Sequence, residues 1–175
     1  MDNSFFAYVQ QLELMVFFSG YPLIYAIIVF AAGSAPDSSS YKARAVKLLP
    51  YTYALVGTLF LGFQLKKLYP DYSVEHLKLS IQHPWLITWG LLAILFWIPA
   101  LAKKSVLSLI HSFVFFFFLA RDLFLQLSAP SSNNDMVRND MKIYTNSLLL
   151  NLGAFALVIL IAFLFTRQKN RSSRR

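Results

Sequence analysis

Cysteine is absent, which excludes disulfides, thiolate metal sites, cysteine-ligated iron–sulfur clusters and a cysteine nucleophile. Charge is scarce: 14% of the 175 residues are Asp, Glu, Lys or Arg, where a soluble domain carries about a quarter. The six glycines are scattered singly, so no Gly-rich phosphate loop can be assembled. The eight acidic residues lie mostly between apolar stretches and make no cluster of nucleophile and base, so the chain is read as non-enzymatic. Its three histidines, His76, His83 and His111, fall at unequal depths. That spacing argues against bis-histidine haem and a compact zinc site, and neither a metal nor a cofactor is expected.

What the chain has in abundance is apolar sequence: 57% hydrophobic residues and 17% aromatic, led by 17 Phe. A helix needs about 20 apolar residues to cross a bilayer. The expected fold class is therefore all-α, a polytopic membrane helical bundle of five transmembrane helices, at about 14–32, 46–65, 85–102, 106–125 and 143–166. The alternative is four spans plus a re-entrant pair in the 85–125 region. Residues 1–13 form an expected interfacial amphipathic lead-in, with Phe5, Phe6, Tyr8, Val9 and Leu12 near helical spacing. The amino terminus lacks the basic region of a cleavable signal, so the first stretch is expected to be retained. Residues 14–166 make a single transmembrane domain, and 167–175 make a basic tail with five cations in nine residues.

Three local features qualify this plan. Ser19-Gly-Tyr-Pro22 interrupts the first span, because Pro22 cannot donate to the carbonyl of Phe18; a kink or unwinding is expected there. Ala54, Thr58 and Gly62 recur every fourth residue and place small side chains on one helix face, a packing surface through which copies are expected to associate. Lys103-Lys104 separates the third and fourth spans, since carrying two lysines through hydrocarbon costs about 2.5–3.5 kcal/mol each; Pro99 supports a break nearby.

Charge distribution orients the bundle. With the Lys103-Lys104 turn in the cytoplasm, ten basic residues fall on that side (Lys42, Arg44, Lys47, Lys103, Lys104, Arg167, Lys169, Arg171, Arg174, Arg175) and five on the other (Lys66, Lys67, Lys78, Arg138, Lys142). The positive-inside rule then places the amino terminus outside and the carboxyl terminus inside. A bacterial inner membrane is the expected location.

The fourth span holds the polar candidates. His111 near the inner side and Arg121, Asp122 and Gln126 near the outer side flank Phe115-Phe-Phe-Phe118. One reading is a polar path gated by a constriction at Phe115, Phe116, Phe117 and Phe118. The plainer reading is that Arg121 and Asp122 anchor the helix at the interface and His111 is a packed, hydrogen-bonded residue. Asn146, Ser147 and Asn151 lie in the outer half of the fifth span, either as interhelical hydrogen-bonding groups or as part of an outward pocket to which Glu13 contributes. Ser19, Tyr21, Pro22 and Tyr25 are the expected lining of any pocket near the bilayer centre. Asp71, Glu75 and His76 read as a solvated short helix before a cation site.

These features favour a small oligomeric pore, channel or small-solute transport component. The alternative is a non-catalytic scaffold or regulatory subunit of a larger membrane complex. Expected partners are the lipid bilayer, anionic headgroups at the tail, and further copies or membrane subunits. Nine tail residues offer no base-reading module, so nucleic acid is not expected.

Overall fold

A computed structural model describes residues 3–32, 41–81, 83–128 and 134–172. Within them the elements are α1 (Asn3–Phe18), α2 (Tyr21–Ala32), α3 (Tyr41–Leu68), α4 (Val74–Ser80), α5 (Pro84–Leu91), a 3₁₀ segment (Leu92–Trp97), α6 (Pro99–Ala102), α7 (Ser105–Ser128) and α8 (Asn134–Ser172). The described residues contain no strand. Most of the loop expected at 34–45, most of the polar loop at 128–135 and the last three tail residues lie outside the described residues, as do the side chains of 1–9 in the lead-in and 169–175 in the tail.

Four stretches are long and apolar enough to cross a membrane: Gln10–Ala31, Ala43–Leu68, Ser105–Ser128 and Val137–Gln168. The protein thus has the make-up of an integral, multi-pass, all-helical membrane protein. The third expected span, 85–102, is not one continuous helix. Its apolar part, Pro84–Trp97, falls short of span length, and the chain tightens into the 3₁₀ segment before Ile98 takes an extended conformation. The cause is Pro99, whose ring disfavours helical backbone at the residue before it. A turn at Lys103 and Lys104 follows, as expected, closed by Lys103 N donating to Pro99 O at 3.1 Å and Lys104 N to Leu101 O at 3.0 Å.

The broken segment runs antiparallel to α7. Trp85 lies against Phe118, Trp89 stacks on His111, and α6 turns directly into Ser105. It is seated on α3 and α1 through small residues: a Cβ on Gly57 of α3 would come within 2.8 Å of Ala93, and one on Gly90 within 3.0 Å of Phe60 of α3 and 2.9 Å of Leu14 of α1. Gly57, one register from the Ala54, Thr58, Gly62 row, therefore makes the close approach. Ala54 is fully buried within the chain and the Thr58 hydroxyl accepts from Trp97 Nε1 at 2.9 Å. Thr58 is nonetheless exposed, and Gly62 is open, with nothing within 4 Å of an added Cβ.

The core is aromatic. Phe18, Tyr21, Tyr53, Phe60 and Phe115 are buried together, with Phe18 stacked on Phe115 at 4.8 Å and Tyr21 tilted against Tyr53 at 4.5 Å between ring centroids. Aromatic pairs at this spacing contribute about 0.5–1.5 kcal/mol beyond their burial.

The interruption in the first span is sealed by α8. The helix unwinds at Ser19 and Gly20, one turn before Pro22. Gly20 N donates to Ser147 Oγ at 2.8 Å, and Asn151 Nδ2 donates to Phe17 O at 2.9 Å and to Ser147 O at 2.8 Å. In hydrocarbon every freed backbone group needs such a partner. Gly20 is required for the approach, since a Cβ there would lie 2.6 Å from the backbone nitrogen of Leu148.

Candidate functional site

Two polar layers lie at different heights in the bundle, separated by the aromatic core. The first is built on His111. Its Nδ1 pairs with the Tyr53 hydroxyl at 2.7 Å, its ring stacks on Trp89 at 4.7 Å and 7°, and its carbonyl accepts from Trp89 Nε1 at 3.3 Å. Nε2 is buried without a partner among the described residues. Next to it, Ser108 donates to Ser105 O at 2.7 Å, so its single proton is used and Tyr21 is the donor in the 2.8 Å Tyr21–Ser108 contact. Tyr25 meets Ser105 at 3.2 Å. Tyr21, Tyr25 and Ser19 are packed and hydrogen-bonded side chains rather than open pocket lining.

The second layer lies where α7 ends and α8 begins. Gln11 Nε2 of α1 donates to Asp122 Oδ2 at 3.0 Å, and Gln126 Nε2 of α7 donates to Asp140 Oδ2 at 2.9 Å. Asp122 has Asp140 and Arg121 as its charged neighbours. Asp140 is only 2% exposed, yet its Oδ1 has no partner among the described residues, and neither has the carbonyl oxygen of Gln126. Three helices thus bring two carboxylates and two amides together inside candidate spans. A group held there would meet acceptor oxygens that no described residue fills, an arrangement that suits a proton or a cation.

Of the residues expected from sequence, Asp122 and Gln126 belong to this second layer and His111 to the first; Arg121 is exposed beside Asp122. Asn151 and Ser147 serve the break between α1 and α2, and Asn146 is exposed on the outer side of α8. Glu13 does not join them: it is bound to Lys67 by contacts of 2.8 and 3.0 Å that tie α1 to α3. The four phenylalanines do not act as one plug. Successive residues on a helix point 100° apart, so Phe115 is buried, Phe116 and Phe118 are half-buried and Phe117 is exposed. Between the two layers lie Phe18, Phe60 and Phe115, buried together from three helices. Asp71 folds back on Ser73, accepting its N–H at 2.9 Å and its hydroxyl at 3.0 Å at the start of α4, and no group of three or more metal-ligating side chains occurs among the described residues.

Gln11 and Asp140 carry no site signal in the sequence, and Tyr53 and Trp89 read there only as two of several aromatics that could line a ligand cage. An expected fifth span that starts at about 143 leaves Asp140 upstream of it, whereas α8 begins at Asn134. A helical pattern extended one turn upstream would have put Asp140 and Ile143 on the face that carries Ser147. No family model, no curated protein and no solved structure matches the chain.

Proposed function

We propose that this protein is a small transport component of a membrane, with the acidic layer of Asp122 and Asp140 as the place where a proton or cation is taken up. The observation that carries the reading is Asp140, a buried carboxylate with one oxygen unpaired among the described residues, close enough to Asp122 of another helix for the two charges to interact. Charged side chains inside spans cost about 2.5–3.5 kcal/mol at the centre on insertion scales and mark ion or proton paths. The aromatic core of Phe18, Phe60 and Phe115 would hold the pathway closed between the acidic layer and His111. A resting chain with such a core is shut, so passage requires either a movement of α1 against α7 or assembly of several copies.

In this reading the broken segment 84–102 completes a fifth crossing, so the amino terminus is outside and the basic end inside, in a bacterial inner membrane. The protein has no catalytic role. Ten basic residues against five support that orientation. The second reading, a scaffold or regulatory subunit, is favoured by one feature: α7 and α8 bury only 28% and 22% of their spans, leaving two helix faces for other chains or for lipid.

Purified protein reconstituted in liposomes tests the choice. Proton or monovalent-cation flux from a discrete homo-oligomer is the expected result, lost with Asp140→Asn and altered in selectivity with Asp122→Asn. Phe115→Ala should raise leak, while exposed Phe117→Ala should not. A chain that is silent under gradients of both polarities and is stable only with another subunit belongs to the scaffold reading.

A further inference from the structure

At the opposite end from the acidic layer, a groove of about 760 Å³ runs between the start of α3 and the last third of α8. Its rim carries three cations, Arg44, Lys47 and Arg167, all exposed, and no acidic residue lines it among the described residues. None of the three has an ion-pair partner among the described residues. Below the rim the walls are apolar, formed among others by Leu48, Leu160 and Phe163, and Leu160 and Phe163 are more than half exposed.

We infer that this groove is a binding site for one anionic phospholipid, its phosphate held by Arg44, Lys47 and Arg167 and an acyl chain lying along α8. Arg44 and Lys47 are three apart on α3 and so share a helix face, across from Arg167. From Thr166 at the rim to Ala156 at the floor is ten residues, about 15 Å at 1.5 Å per residue. That is the depth of one leaflet in a hydrocarbon core of about 30 Å. Cations above and hydrocarbon below match the order of an amphiphile: a free anion would leave the apolar walls uncovered. A second copy in the same orientation would bring its own basic end to this rim, cation against cation. Basic pockets between transmembrane helices recognise lipid headgroups by this combination.

The test uses the full chain, delipidated in detergent and titrated with phosphatidylglycerol or phosphatidylcholine, read by thermal unfolding and by lipid retained in native mass spectrometry. Phosphatidylglycerol should stabilise the protein and remain bound, and phosphatidylcholine should do neither. Each cation removed should weaken phosphatidylglycerol about fivefold, so Arg44→Gln with Lys47→Gln and Arg167→Gln together should weaken it about a hundredfold. Lys104→Gln, which removes a cation from the same end but outside the groove, should change it less than about twofold. Leu160→Trp, with all charges intact, should also reduce retention by filling the groove, and it keeps the test decisive if the triple variant does not fold. Equal loss in Lys104→Gln would mean a diffuse surface attraction and overturn the site. So would equal retention of phosphatidylcholine, displacement of the lipid by inorganic phosphate, or a disulfide between copies formed through Leu160→Cys.

Discussion

Asp140 and Tyr53 illustrate opposite uses of a buried polar side chain. Asp140 leaves an oxygen unpaired among the described residues, whereas Tyr53 spends its hydroxyl on His111 at 2.7 Å. Asp140→Asn keeps the shape and can still accept from Gln126 through its amide oxygen. It should therefore leave the melting temperature unchanged or higher while reducing cation or proton flux at least tenfold; a folded variant with unchanged flux would remove Asp140 from the pathway. Tyr53→Phe does the reverse. It leaves the imidazole Nδ1 buried without a partner, a loss of about 1–3 kcal/mol. A lowered unfolding midpoint in detergent measures it, and because Phe keeps the ring contacts with Phe18 and Phe96, any loss reports the hydroxyl alone.

The junction of α1, α2 and α8 makes a sharper demand on its residues than any stretch of regular helix. Gly20→Ala would press a Cβ to 2.6 Å from backbone that cannot rotate away. It should destabilise by about 1–3 kcal/mol, as overpacking does. Gly62→Ala and Gly153→Ala meet nothing within 4 Å, and a helical Gly→Ala exchange there should stabilise by up to about 1 kcal/mol. Thermal unfolding of the three variants side by side checks the contrast, and equal effects would deny the close approach. Much of this architecture was legible beforehand: the apolar runs, the turn at Lys103-Lys104, the interruption near Pro22 and the break at Pro99 all follow from composition and from proline's missing donor. The partner of each break was not. Ser147 and Asn151 read only as polar residues in a span, because what they bind lies more than a hundred positions away in sequence. The row of Ala54, Thr58 and Gly62 was recognised as small, yet nothing in its spacing tells whether the segment it receives is another copy or residues 92–97 of the same chain. Burial of the acidic layer was hidden for a simpler reason, since its second carboxylate sits one turn before the point where hydrophobicity becomes continuous.

Topology turns on the segment between α3 and α7. If residues 84–102 complete a crossing, Lys78 and Lys103 stand on opposite sides of the membrane; if they dip in and return, both stand on one side. The absence of cysteine makes this directly measurable, because a single introduced thiol is then the only one in the chain. Lys78→Cys and Lys103→Cys are exposed positions outside the four long spans, so neither substitution disturbs packing. In intact cells or sealed vesicles, a membrane-impermeant maleimide should label Lys78→Cys and should reach Lys103→Cys only after the membrane is opened. Labelling of both from one side would make the segment re-entrant, reduce the crossings to four and bring the amino and carboxyl ends to the same face. It would also put Arg44 and Lys47 of α3 on the opposite face from Arg167 of α8, which is incompatible with the groove the three share. The 32 residues from Val137 to Gln168 rise about 48 Å as a helix, well beyond the hydrocarbon thickness. The acidic layer near the start of α8 and Arg167 near its end are thus expected on opposite sides whenever α8 crosses, and labelling of Asn146→Cys from the outside alone would establish which side is which.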